Sequence, residues 1–169
     1  MFFLSFRDYD EKTNQDLDIC GEDYEELISF CCCHSDYCSL FLDKSLLSYP
    51  PVTMNLSQDE KQLLQGVKKK KTENMNGEVW YLSCEKDTKT FLLSHCYSVF
   101  DWNVSLKNPA NLSFYRDDQS FLFVSNSHIG VCYLRISERN AGIFLHKQGW
   151  KKENLVEDDL LEALSKRIG

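Results

Sequence analysis

Between residues 78 and 146 the chain divides into short β-rich runs separated by polar turns: EVWYLSC (78–84), TFLLSHCYSVF (90–100), NLSFYR (111–116), SFLFVSN (120–126), VCYLRIS (131–137) and GIFLH (142–146). This pattern reads as an antiparallel meander. Two earlier runs, FFLSFR (2–7) and YCSLFL (37–42), read as further strands. Within the meander Trp80, Leu82 and Cys84 share one face, and Phe121 with Phe123 opposes Leu122 with Val124, so some strands are expected to be covered on both sides.

Three segments change to helical spacing. From about Asp23, Tyr24, Leu27, Ile28, Cys31 and Cys32 recur on one stripe, with acids in the first turn where the macrodipole favours them. Ser57-Gln-Asp-Glu60 is a capping-box pattern followed by Leu63, Leu64 and Val67, which predicts a helix from about Ser57 to Lys69, closed by the lysines 68–71. Asn76-Gly77 then marks a tight turn. From Asn154 onward, Leu155, Val156, Leu160, Leu161, Leu164 and Ile168 form a last amphipathic stripe, with Asp158, Asp159 and Glu162 early and Lys166 and Arg167 late. The expected fold is α+β: one domain over residues 1–169, a mostly antiparallel sheet and about three packed helices.

A chain of 169 residues, 43% hydrophobic and 27% charged, can bury a core without metal or disulfide support. It has no apolar run near the roughly 18 residues needed to cross a bilayer. The opening Met-Phe-Phe-Leu-Ser-Phe is interrupted by Arg7 and Asp8, too early for the core of a secretory signal. The expectation is a cytoplasmic protein that does not engage membranes, with its eight cysteines reduced. On that expectation the sequons at Asn55, Asn103 and Asn111 carry no glycan.

The charge is segregated. The first 26 residues hold nine acids (Asp8, Asp10, Glu11, Asp16, Asp18, Glu22, Asp23, Glu25, Glu26) against Arg7 and Lys12, and this accounts for the whole formal charge of −7. The rest of the chain is balanced. A concentrated negative field steers basic partners, and the overall balance argues against nucleic acid as a partner. The plain alternative is a solvated acidic connection across residues 8–26.

No motif specifies a reaction. Cys31-Cys32-Cys33-His34 with Cys38 has zinc-type ligand chemistry, but it matches no common zinc module, lacks a fourth ligand nearby and is explained by packing. His95 and Cys96 would point to opposite faces of a strand, and Cys20 lies among carboxylates that disfavour a thiolate. His34, His95, His128 and His146 form no metal or nucleophile frame, although His128 sits in the turn Asn126-Ser-His-Ile-Gly130, where polar residues more often carry function. Asp117-Asp118 suits a turn, Asp158-Asp159 a helix start, and the four lysines a helix C-terminus. No catalytic residue, no resident metal and no cofactor is expected.

The acidic run Asp8 to Glu26 and the segment Leu112-Ser-Phe-Tyr-Arg-Asp-Asp-Gln-Ser-Phe-Leu-Phe-Val124 resemble the immunity proteins of bacterial toxin–immunity systems, the contact-dependent inhibition and polymorphic toxin type. These are small cytoplasmic α+β domains, often acidic, that block one cognate toxin. The resemblance implies a non-enzymatic inhibitor that occludes a toxin active site, a nuclease groove being the natural target, through an interface of about 1,600 Å². The residues expected to touch the toxin are Asp16, Asp18, Glu22, Asp23 and Glu25. Two other readings stand beside it: a metal- or thiol-dependent regulator or enzyme using Cys31, Cys33, His34 and Cys38, and a structural subunit of a larger complex docking through the C-terminal helix.

Overall fold

A computed structural model describes residues 1–43, 58–65, 67–71, 77–103 and 108–154. The sequon at Asn55, the cap Ser57, the turn residue Asn76 and the stripe from Leu155 to Ile168 lie outside the described residues.

The fold is α+β. Its strands are β1 (Phe2–Arg7), β2 (Tyr9–Asp10), β3 (Gln15–Asp16), β4 (Tyr37–Asp43), β5 (Lys68–Lys71), β6 (Gly77–Ser83), β7 (Ala110–Tyr115), β8 (Phe121–Asn126), β9 (Val131–Ile136) and β10 (Lys151–Glu153). The helices described are α1 (Glu22–His34), α2 (Gln58–Gln65), α3 (Lys86–His95) and α4 (Glu138–Leu145). Among the described residues eight strands form one antiparallel sheet in the order β10-β1-β9-β8-β7-β4-β6-β5, and β2 with β3 makes a separate hairpin. Strands β7 to β9 are the expected meander. Among the described residues no helix is long and apolar enough to cross a membrane.

Alternation along the strands builds two layers. Leu4, Phe6, Leu40, Leu42, Trp80, Leu82, Leu112, Phe114 and Leu134 point to one face. There they meet Tyr24, Leu27, Ile28 and Cys31 of α1, Leu64 of α2, Phe91 and Leu92 of α3, and Ala141 and Phe144 of α4. The opposite face carries a smaller cluster of Phe3, Phe121, Val131 and Tyr133. The expected split of Phe121 and Phe123 from Leu122 and Val124 is corrected by a bulge: Phe114 faces Phe123 while Tyr115 faces Phe121, leaving Leu122 as the extra residue. Leu122 and Phe123 therefore both enter the main core, and Phe121 joins Val124 on the other side.

Three expected elements differ. Residues 90–100 are not a strand; most belong to α3, because Thr88, Phe91 and Leu92 are buried at helical spacing, and a capped 3-10 turn at Val99–Asp101 follows. Ser98 caps that turn, accepting from the Asp101 N–H at 3.2 Å while Asp101 Oδ2 accepts from the Ser98 N–H at 3.1 Å. Residues 142–146 are likewise not a strand, since α4 starts after Ser137, whose carbonyl accepts from the Ala141 N–H at 3.0 Å. The lysines 68–71 do not close a helix. α2 ends at Gln65, and the lysines form edge strand β5 beside β6.

That edge is well suited to lysine. Four charged side chains discourage pairing with another sheet, Lys69 lies 4.5 Å from the centroid of Trp80, and Lys71 faces Glu78.

A buried hydrogen-bonded chain ties the helical layer together. Tyr24 Oη donates to the Leu92 carbonyl at 2.8 Å, and Trp102 Nε1 donates to Tyr24 Oη at 3.0 Å. Trp102 is fully buried. Substituting Tyr24→Phe leaves the indole N–H and the Leu92 carbonyl without the shared hydroxyl, and each orphaned group costs about 1–3 kcal/mol. The expected loss is about 2 kcal/mol in urea unfolding with an unchanged slope, whereas Tyr9→Phe on the exposed hairpin changes stability little.

Candidate functional site

The acidic segment is aimed by the end of β1. Where β1 leaves the sheet, the Asp8 N–H donates to the Gly130 carbonyl at 2.8 Å, and the Leu17 N–H returns to the Asp8 carbonyl at 2.7 Å. The hairpin of β2 and β3 is thereby closed at its base. Gly130 has φ +61°, a conformation that favours glycine, and a Cβ there would displace the Asp8 carboxylate from its present place. Beyond the hairpin Ile19 is buried, Cys20 bridges to Ser98, and Gly21 turns with φ +59° into α1.

This path produces two adjoining groups of carboxylates. In the first, Asp8, Asp16 and Asp18 gather near Asp101 of the 3-10 turn. Desolvation pushes the Asp8 carboxyl above its usual value, and Asp16 adds to the rise. Desolvation also raises Asp18, helped by the like charges of Asp101 and Asp8, while hydrogen bonds from the Ser98 hydroxyl and the Ile19 amide oppose it. In the second, Glu22, Asp23, Glu25 and Glu26 occupy the first turns of α1.

The five residues expected to touch a partner separate into four and one. Asp16, Asp18, Glu22 and Glu25 are exposed. Asp23 is half-buried and ion-paired with Lys147, which also reaches Glu26 Oε2 at 2.6 Å. Both carboxylates raise the Lys147 ammonium's affinity for its proton. Asp23 therefore also ties α1 to the end of α4.

Two residues distant in sequence join the patch. Asp101 approaches through its turn, and Tyr97, whose carbonyl accepts from the Gly21 N–H at 3.2 Å, is 77% exposed. The Tyr97 N–H donates to Asp101 Oδ2 at 3.1 Å, so a large exposed aromatic residue is held next to the acidic turn, where it can supply the apolar anchor that a purely acidic surface lacks. Sequence reading misses both because Tyr97 falls in the run 90–100, whose composition predicts a strand, and Asp101 directly follows it.

The thiols and imidazoles are placed differently. Cys31 and Cys38 are buried, Cys32 and Cys84 half-buried, and Cys33 exposed, all as free thiols. His34 points back along α1, stacked on Phe30 with Nδ1 2.8 Å from the Phe30 carbonyl oxygen. Among the described residues no three His, Cys, Asp or Glu side chains converge as a metal site. Burial holds the Cys31, Cys96 and Cys132 thiols well above their usual pKa, which suits packing and not nucleophilic attack. His95 and Cys96 do not share a strand: His95 ends α3, stacked against Phe91 and Trp102. His128 is exposed in the β8–β9 turn, and Asp118 accepts from the Ser120 N–H at 2.9 Å as a turn aspartate does.

No protein-family model, no curated protein and no solved structure matches this chain.

The raised Asp18 carboxyl has a definite pH signature. An acid whose folded value exceeds its unfolded value of about 3.8 destabilises the fold once ionised, and that cost disappears as pH falls below the unfolded value. Asp18→Asn keeps an oxygen for the Ser98 and Ile19 donors and removes the charge. It should stabilise the protein at pH 7 by less than about 1 kcal/mol, the group being partly solvated. The gain should shrink through the acid range and vanish below about pH 3.8 when urea melts are compared across pH.

Proposed function

We propose that this chain is a non-enzymatic protein-binding inhibitor, an immunity protein that neutralises a cognate bacterial toxin in the cytoplasm. It lays the surface of Asp16, Asp18, Glu22 and Glu25, extended by Asp8, Asp101 and Tyr97, over a basic substrate groove. A nuclease is the target this chemistry suits, since a row of carboxylates imitates the phosphates such a groove holds. One observation carries the reading: the backbone of Tyr97, a residue 77% exposed, joins the two carboxylate groups, its N–H donating to Asp101 Oδ2 and its carbonyl accepting from Gly21 at the start of α1, with Asp8 and Asp18 held above their ordinary pKa. Grouping like charges in this way works against the fold and favours a cationic partner.

In this reading Tyr97 is the central anchor, the carboxylates set rate and orientation, and Lys147 holds α1 in place through Asp23 and Glu26.

The test uses the toxin domain encoded beside this chain's gene. Tight one-to-one binding is expected, with an association rate that falls steeply as salt rises. Reversing Asp16, Glu22 and Glu25 to lysine should slow association by about tenfold or more, and Tyr97→Ala should speed dissociation by about tenfold. Both variants should protect toxin-expressing cells poorly. Equal binding and protection by wild type and the charge-reversed variant would reject the acidic surface as the interface.

A further inference from the structure

On the face of the sheet away from α1–α4, a second β-bulge opens a cleft. Ser39 of β4 faces Ser113 of β7 and Phe41 faces Ala110, so Asn111 and Leu112 together oppose Leu40. Asn111 takes up the extra length at φ 57°. The resulting cavity, about 200 Å³, is lined by Phe41, Tyr81 and Tyr115 as aromatic walls and by Ser39, Ser113 and Asn126 as polar groups. Its volume lies below the roughly 300–1,000 Å³ of drug-sized pockets, which limits the occupant to one small ring system.

Asn126 sets the chemistry. It is 95% buried, lines the cleft, and its side-chain Oδ1 has no hydrogen-bond partner. A buried acceptor left unpaired costs free energy, and a ligand N–H entering the cleft would relieve that cost. The half-buried Tyr81, Tyr115 and Phe41 supply π faces, the surfaces on which planar bases stack.

The rim adds charge. Lys68 faces Tyr81 and Lys70 faces Val79 across the β5–β6 ladder, and directly opposed residues share a face. Both lysines thus rise on the side of the cleft, whereas Lys69 turns to Trp80 on the core side. By the same registers Arg7, Arg135 and Lys151 also belong to this face, against Asp43 and Glu153. A chain acidic overall therefore has a locally basic sheet face.

We propose that this cleft binds a nucleotide: an amino-bearing base stacks among Phe41, Tyr81 and Tyr115, its amino N–H donates to Asn126 Oδ1, and its phosphate meets Lys68 and Lys70. The site is independent of the acidic surface, which lies along the hairpin and α1.

Titration of the full chain with adenosine 5′-monophosphate, adenosine and inorganic phosphate, followed by amide chemical shifts, tests it. The monophosphate should bind, with shifts centred on Asn111, Tyr115, Tyr81 and Asn126, and adenosine should bind about tenfold more weakly. Lys68→Glu with Lys70→Glu, both exposed, should weaken the monophosphate by about tenfold and leave adenosine unchanged. Tyr81→Ala should weaken both ligands by about tenfold. Asn126→Ala should abolish base binding without lowering the melting temperature of the free protein. An octaadenylate arm identifies the source: affinity more than about tenfold above the monophosphate assigns the site to a single strand, and equal affinity assigns it to a free nucleotide. No binding at millimolar monophosphate, shifts located elsewhere, or undiminished binding to Asn126→Ala would overturn the proposal.

Discussion

Six residues, Phe2–Arg7, decide where everything acidic goes. Strand β1 inserts between β9 and β10, and among the described residues it is the only strand through which β10 joins the sheet. Its alternation is strict: Phe2, Leu4 and Phe6 pack toward the helices, while Phe3 joins the opposite cluster and Ser5 hydrogen-bonds Glu153. A shift of one residue would exchange those sets and expose Leu4 and Phe6, so the register is strongly specified. Because it is specified, the exit of the chain at Asp8 is fixed against Gly130, and the carboxylates that follow inherit a defined position.

Charge is partitioned by the same architecture. The start of α1 receives Glu22, Asp23, Glu25 and Glu26, of which Asp23 and Glu26 pair with Lys147, and the far face of the sheet receives lysines and arginines through the registers of β1, β5, β9 and β10, with Asp10 of the hairpin close to Lys151 at its margin. A net charge of −7 is therefore a poor description of either surface. Fields near a protein follow local charge within about a Debye length, roughly 8–10 Å at moderate salt, so one molecule this size can attract cations on one side and anions on the other.

The sheet and α1 were legible because their signals are local: alternation in FFLSFR and YCSLFL, and the Tyr24, Leu27, Ile28, Cys31 stripe. Helix α3 was hidden by its composition. Thr88, Phe91 and Leu92 are helical partners only if the element starts at Lys86, and the run Thr90 to Phe100 is rich in residues that also favour strands. The lysine strand had no hydrophobic signal at all, since its hydrogen bonds and not its side chains place it beside β6. The acidic residues themselves could be read directly. Asp101 and Tyr97 could not, because their arrival depends on the turn after α3, and the two bulges at Leu122 and Asn111 leave no trace in residue type.

Three residues at the proposed binding surfaces, Asp8, Asp18 and Asn126, share one physical property: each works against the isolated fold. Desolvation and neighbouring carboxylates disfavour the charged form of Asp8 and Asp18, and Asn126 buries an acceptor that has no donor. A chain under selection for stability alone has easy remedies at all three positions, since single neutral substitutions would remove the cost. Structural groups such as Tyr24 and Trp102 show the opposite pattern, with buried polar atoms satisfied by one another. Unrelieved cost at these three positions, beside the mutual satisfaction of Tyr24 and Trp102, is the pattern expected where the missing interaction is made with another molecule.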